Sequence, residues 1–260
     1  MATDVELTVE DGIGWLTLRK PDTRNAVEPE FVEAAIEALD KLPDGIGALV
    51  LAGEGPAFCV GVNLNMTQRL LSDGQVEELH RLLDAMHTIT RKLRALPVPT
   101  VAAVEGAAAG AGVGLACACD LRVVGASTVF VPGFQALGLS PDSGTSFHLA
   151  RALGSPAAIA AFLRNRRITA DELLACSLAD EVVPDGEVWA AAQRLAGEVA
   201  GAAPAALLAT RRLIDAAPTH SFDEHLDAEE LTIKGLLTTA DVAEGVAAFV
   251  ERRRPKFTGA

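Results

Sequence analysis

The chain has 260 residues, half of them apolar and 22% charged, with 22 basic against 35 acidic side chains and a formal charge of −13. That length and balance suit a folded globular protein with a sizeable core. The acidic excess argues against a nucleic-acid binder, whose phosphate contacts need a basic field, and against an anionic membrane surface as partner. An anionic ligand would have to meet local clusters instead, such as Arg19, Lys20 and Arg24 near one end or Arg252, Arg253, Arg254 and Lys256 near the other.

The opening MATDVELTVEDG is acidic and has no apolar centre, so no signal peptide is expected. Residues 5–10 and 13–19 read as two strands joined by Asp11-Gly12, a hairpin signal. Apolar residues at Phe31, Ala35, Ile36 and Leu39 give helical spacing between Pro29 and Leu42, and Pro43-Asp44-Gly45 ends it. Ala48 to Ala52 is a continuous apolar run, predicted to be a buried parallel strand. Residues 53–65 read as a Gly-rich loop. A long amphipathic helix is predicted over 76–96, with Leu79, Leu82, Leu83, Met86, Ile89, Leu93 and Leu96 facing inward and Pro97 and Pro99 stopping it. Val101 to Val104 is a further buried strand, Gly106 to Cys119 a small-residue loop running into a helix, and 121–124 and 128–131 two more strands. From about Ser143 helices dominate. Strand–helix repetition followed by a helical tail points to an α/β core domain over 1–195 and a helical region over 196–260. No charge-free apolar run reaches the about 20 residues that span a bilayer, and a cytoplasmic location is the expectation.

Two loops carry the chemical interest. Gly53 to Leu64 follows a strand, and its glycines would let backbone N–H groups turn toward a ligand, although an ordinary surface loop has the same look. Gly106-Ala107-Ala108-Ala109-Gly110-Ala111-Gly112-Val113-Gly114 also follows a strand and opens a helix, so free N–H groups and the positive end of a dipole face whatever sits there. The spacing is GxGxG rather than the dinucleotide-binding GxGxxG, with no acidic residue at the end of a following strand. Tight packing through small residues is the alternative. Of the four cysteines, Cys117 and Cys119 lie in an Ala-rich run, with no CxxC pair or nearby histidine, and read as small buried hydrophobes. No metal site is expected.

Together these segments resemble the crotonase (enoyl-CoA hydratase/isomerase) superfamily over essentially the whole chain. Ala57 to Leu64 is similar to the family's aFcaGaDl, Val98 to Gly106 to kPviAavnG, and Leu115 to Asp120 to Lala.cD. Gly138 to Gly144 is similar to lGl.pd.G, and Glu244 to Phe257 to the terminal EGi.AFlekRkP.F. Each match is weak alone, but five in order are specific. The resemblance implies a ClpP-like spiral of β-β-α units with a carboxy-terminal helical trimerisation region, as trimers often paired into hexamers. It implies an acyl-CoA thioester substrate and no separate cofactor, coenzyme A arriving as part of the substrate. It further implies an oxyanion hole of two backbone N–H groups, carried here onto Val62 and Ala111. Such donors are worth about 3–4 kcal/mol each when charge develops on a thioester oxygen. The CoA adenine and phosphates would lie near Arg24, Ala26, Val60 and Leu64, completed by Phe249 and Arg252 of a neighbouring helix.

The departures from the family decide the expected chemistry. The two hydratase glutamates correspond to Gly114 and Phe134, neither of which transfers protons. Asp142, in Pro141-Asp142-Ser143-Gly144, could be a mere turn residue, but it resembles the single base of the enoyl-CoA isomerases. One carboxylate can take a proton from C2 and return it at C4, and a pocket of Phe134, Leu137 and Leu139 would raise its pKa. His87, otherwise a helix-border residue, matches with Asp142 the base and nucleophile of the 4-chlorobenzoyl-CoA dehalogenase, although that enzyme has tryptophan where this chain has Phe134. His148, His80, His220 and His225 read as structural. The expected function is double-bond isomerisation through a dienolate with Asp142 as base. The alternatives are a dehalogenase-like substitution with Asp142 as nucleophile and His87 as base, hydration by an unrecognised route, and a CoA-binding protein without catalysis.

Overall fold

The computed structural model describes residues 4–260. Val5–Glu10 (β1) and Ile13–Leu18 (β2) pair antiparallel across Asp11-Gly12, both left-handed at φ 50° and 77°. A two-residue hairpin turn whose twist matches its strands requires that geometry. Helix Pro29–Asp40 (α1) follows, its proline in the first turn where a missing N–H costs nothing.

The chain then repeats one pattern: a strand into a first sheet, a short strand into a second sheet, then helix. Ala48–Gly53 (β3), Ala57–Cys59 (β4) and helices Leu64–Ser72 (α2) and Val76–Ala95 (α3) make one turn. Thr100–Val104 (β5), Ala107–Ala109 (β6) and Ala111–Ala118 (α4) make the next. Leu121–Gly125 (β7), Val129–Val131 (β8) and helices Thr145–Leu153 (α5) and Ser155–Leu163 (α6) make the third. Ile168–Thr169 (β9), Ala170–Ala175 (α7) and Glu181–Val183 (β10) close the spiral. The first sheet has six strands in the order β1-β2-β3-β5-β7-β10, parallel from β2 onward, and the second has four in the order β4-β6-β8-β9.

Both faces of the first sheet are covered, which is why β3 and β5 are continuously apolar. Side chains alternate between the faces. Leu49, Leu51, Ala102 and Val104 join the main core with α1 and α3, while Ala48, Val50, Val101 and Ala103 pack on Val188–Val199 (α8) through Val188, Ala192 and Ala196. Trp15 and Trp189 stack at 5.0 Å on that second face. Pro204–Ala216 (α9) and Phe222–Leu236 (α10) bury no residue, and Ala240–Glu251 (α11) buries Asp241 and Ala248. Ile214, Phe222, Leu231, Leu237 and Phe249 stand exposed on these helices.

Four expectations change. Residues 53–65 are not all loop, because β4 and the start of α2 lie within them, and the small-residue loop after Gly106 contains β6. Leu83 does not face inward: it is 38% exposed, one helical turn from the half-buried His87. Leu137 and Leu139 are 47% and 50% exposed, so they do not enclose an apolar pocket. The remaining short helices Pro21–Thr23 and Gln135–Leu137 are single 3-10 turns. Among the described residues no helix is long and apolar enough to cross a membrane.

Candidate active site

Two glycine contacts bring the main-chain donors together. A Cβ at Gly61 would sit 2.9 Å from Ala109 O and 3.4 Å from Ala111 N, and one at Gly112 would sit 2.9 Å from the Cys59 carbonyl carbon. The chain after β4 therefore lies flat against the start of α4 with no room for side chains between. Val62 forms a parallel bridge with Val27, made by the Val27 N–H donating to Gly61 O at 2.8 Å and the Asn63 N–H donating to Val27 O at 3.0 Å. Because residues 61 and 63 make that bridge, the Val62 N–H points away from it. The Ala111 N–H is the first of α4 and has no partner within the helix. Neither N–H donates to another protein group among the described residues.

Asn63 fixes this corner. Its side-chain oxygen caps α2 by accepting from the Asn65 and Met66 N–H groups at 3.0 and 3.1 Å, and its amide donates to Glu28, itself paired with Lys20. Asn25 is fully buried: its amide donates to Ala57 O and Phe58 O at 2.9 and 3.1 Å, and its Oδ1 accepts the Lys20 N–H. That ties the loop of Arg24 and Ala26 to β4. The Val60 N–H donates to Arg24 O at 3.3 Å. Of the four residues expected near CoA, Arg24 and Val60 are thereby joined, Arg24 and Leu64 are exposed, and Ala26 is buried. No hydrogen bond or ion pair among the described residues joins Phe249 or Arg252 to them. The cationic tail is partly neutralised, since Arg253 pairs with Glu244 and Glu251, which holds the Glu244 carboxyl down at about 2.

Asp142 lies in the turn before α5. That turn packs on α4, where the Thr145 hydroxyl donates to Gly110 O at 3.4 Å. A Cβ at Gly114 would fall 2.6 Å from Ser143 Cβ. The turn therefore occupies the space a glutamate at 114 would need. Phe134, at the other expected acid position, is 5% exposed; its ring tip reaches 4.0 Å from where a Cβ on Gly110 would be, and its far side tilts against Phe162 at 6.3 Å. Burial pushes the Asp142 carboxyl above the ordinary aspartate range, with the nearby Ser143 hydroxyl pulling it partly back. The Ser143 hydroxyl is close enough to act on the carboxylate but is not aligned with it, because both Asp142 Oδ1 and Ser143 Oγ are buried without a hydrogen-bond partner. His87 reaches the same turn: its Nε2 accepts the Ser143 N–H at 3.3 Å. His87, one of the candidate catalytic residues, therefore touches the turn that carries Asp142, and Ser143, Asn63 and Asn25 are neighbours that the sequence did not single out.

A cavity of about 760 Å³ opens elsewhere, between α9 and the core, and no candidate catalytic residue lines it. Its Arg94 and Arg211 are paired with Asp215 and Asp120. His148, which also lines it, is pushed down to about 4 by burial and by Arg94 and Arg122. Among the described residues no cluster of His, Cys, Asp and Glu could hold a metal ion.

Two sheets wound together by strand–strand–helix turns, with free main-chain donors and a half-buried carboxylate packed on one short helix, define an α/β enzyme of the spiral class. The sequence model described as enoyl-CoA hydratase/isomerase matches residues 8–260. The chain is 33% identical to the 1,2-epoxyphenylacetyl-CoA isomerase of Escherichia coli K12, across 96% of this chain and 97% of that one. The crystal structure of an enoyl-CoA hydratase from Polaromonas sp. JS666 superposes with a TM-score of 0.89 at 36% identity, covering 98% and 99% of the two chains. A structure from Thermobifida fusca YX, solved in complex with CoA, superposes with a TM-score of 0.80 at 29% identity over 90% of this chain and 93% of that one. The chain belongs to the enoyl-CoA hydratase/isomerase family, the crotonases, and is an enzyme of acyl-CoA chemistry.

Proposed function

We propose that this enzyme isomerises an unsaturated acyl-CoA, moving a double bond from C3 to C2 through a dienolate. Asp142 takes the C2 proton and returns it at C4, while the Val62 and Ala111 N–H groups hold the negative charge on the thioester oxygen. The observation that carries this reading is the crowding at Gly114. With Ser143 filling that space and Phe134 buried at the other position, neither hydratase glutamate has a counterpart, and Asp142 is the carboxylate left on the turn packed against α4. A raised pKa suits a group that must both take and give a proton. The name of the Escherichia coli relative, an isomerase, supports the same direction. A purely CoA-binding role leaves unexplained a carboxylate held with one oxygen buried and unpartnered.

The contact of His87 with the Asp142 turn favours a second reading, a substitution on an aryl-CoA with Asp142 as nucleophile and His87 activating water. Against it, the lone pair such a base needs is the one already accepting the Ser143 N–H. The CoA grip we assign to Arg24, Ala26, Val60 and Leu64, with Phe249 and Arg252 supplied by a neighbouring subunit. The exposed apolar side chains of α9, α10 and α11 support that assembly, which we read as a trimer or hexamer. A spectrophotometric comparison of 3-enoyl-, 2-enoyl- and aryl-CoA thioesters tests the function. Isomerisation of the 3-enoyl substrate with negligible hydration of crotonyl-CoA is expected, and efficient hydration would overturn it.

A further inference from the structure

Asp142 and Thr145 close a four-residue turn, with the Thr145 N–H donating to the Asp142 carbonyl at 2.8 Å. The two central residues, Ser143 and Gly144, have φ of 49° and 78°, the pattern of a type I′ turn. Glycine adopts it freely, but serine meets a steric penalty, so position 143 must be held there by its surroundings. The turn does not use the N–H of its first central residue. Ser143 is 1% exposed, so that N–H cannot turn to water, and a buried donor without an acceptor is costly. The acceptor comes from 56 residues away, His87 Nε2 on α3. On its other side Ser143 is wedged against the bare Cα of Gly114.

We propose that His87 is a positioning residue for catalysis: its imidazole, protonated at Nδ1 and accepting at Nε2, pins the Ser143 N–H and so sets where the Asp142 carboxylate points. The inference rests on Asp142 being the proton carrier. It gives His87 a task that needs a hydrogen-bond acceptor and no proton transfer, which separates it from the base of the aryl-substitution reading. Two variants divide these roles. His87→Leu removes the acceptor, whereas His87→Gln keeps an oxygen at about the same reach without the imidazole.

With a 3-enoyl-CoA substrate, His87→Leu should lower kcat by about 100-fold, the typical effect of a misplacement of about 1 Å, with KM changed little. His87→Gln should restore kcat to within about fivefold of the wild type, because a side-chain carbonyl accepts a backbone N–H as well as a ring nitrogen does. In the folded wild-type enzyme, nitrogen-15 NMR should show His87 Nε2 unprotonated and Nδ1 protonated. A His87→Leu variant with wild-type kcat, a His87→Gln variant as impaired as His87→Leu, or a protonated Nε2 would each overturn the proposal. Failure of the underlying reading looks different. If Asp142→Asn remains active the base is misassigned while the NMR result stands, and if Asp142→Asn is dead but His87→Leu is not, the positioning role alone falls.

Discussion

Replacing Gly114 by alanine adds one methyl group to the middle of α4 and probes the packing on which the Asp142 turn depends. On helix propensity alone the change should stabilise by about 1 kcal/mol. Here the new Cβ would meet Ser143 Cβ at 2.6 Å and the Ser143 carbonyl carbon at 3.0 Å, with the carbonyl oxygen nearer still. Carbon atoms rest about 3.5–4.0 Å apart, so the turn must retreat by about 1 Å. Overpacking of this kind costs about 1–3 kcal/mol, which leaves a net loss of about 1 kcal/mol and a Tm lower by about 2–4 °C for a chain of this size. Catalysis should suffer far more, since Asp142 rides on that turn and a displacement of about 1 Å costs about 100-fold in rate. Isomerase kinetics and thermal denaturation on one preparation give both numbers. A Gly114→Ala protein that melts above the wild type with kcat intact would refute the claim that Ser143 fills the space beside Gly114.

Ala111→Pro removes one main-chain donor at a helix position that tolerates proline, and steady-state kinetics should show turnover lowered by about 100-fold or more while CoA binding falls less. Asp142 has a folded pKa raised above the ordinary aspartate value of 3.8. The stability it contributes is therefore complete below that value and lost as pH rises through the folded pKa. At neutral pH Asp142→Asn should melt higher than the wild type, with the gap closing on acidification, as thermal scans across pH would show. Arg252→Ala should weaken binding of free CoA by calorimetry, and added salt should weaken it in the wild type; equal affinity in both proteins would remove Arg252 from the CoA grip.

The long elements were legible because their patterns are strong. The hairpin follows from Asp11-Gly12, β3 and β5 from unbroken apolar runs, and α3 from its apolar period. The stretches missed were short and built from small residues. β6 is three alanines and β4 is Ala-Phe-Cys, each a strand only because the spiral lays it beside the next one. Burial of Cys117 and Cys119 was foreseeable from their Ala-rich neighbours, that of Cys59 was not because its segment reads as loop, and burial pushes the three thiols up to about 11, 12 and 12 in that order. At the candidate site, residue types showed that Gly114 and Phe134 carry no acid. They did not show that Ser143 occupies the vacated volume, nor that His87 holds its N–H, because both contacts join segments far apart in the chain. Leu83 shares the helical period of its buried neighbours yet faces out, since periodicity cannot tell which part of a helix another layer covers.

The central claim is that a single carboxylate, Asp142, carries the proton, and the most direct test is isomerisation of a 3-enoyl-CoA by Asp142→Asn beside the wild type. The variant keeps the shape of the side chain and removes its basicity, so the account predicts a rate lower by about 100- to 10,000-fold, the range a positioned general base supplies, with CoA affinity unchanged. An Asp142→Asn enzyme that still isomerises at a rate near the wild type would contradict it.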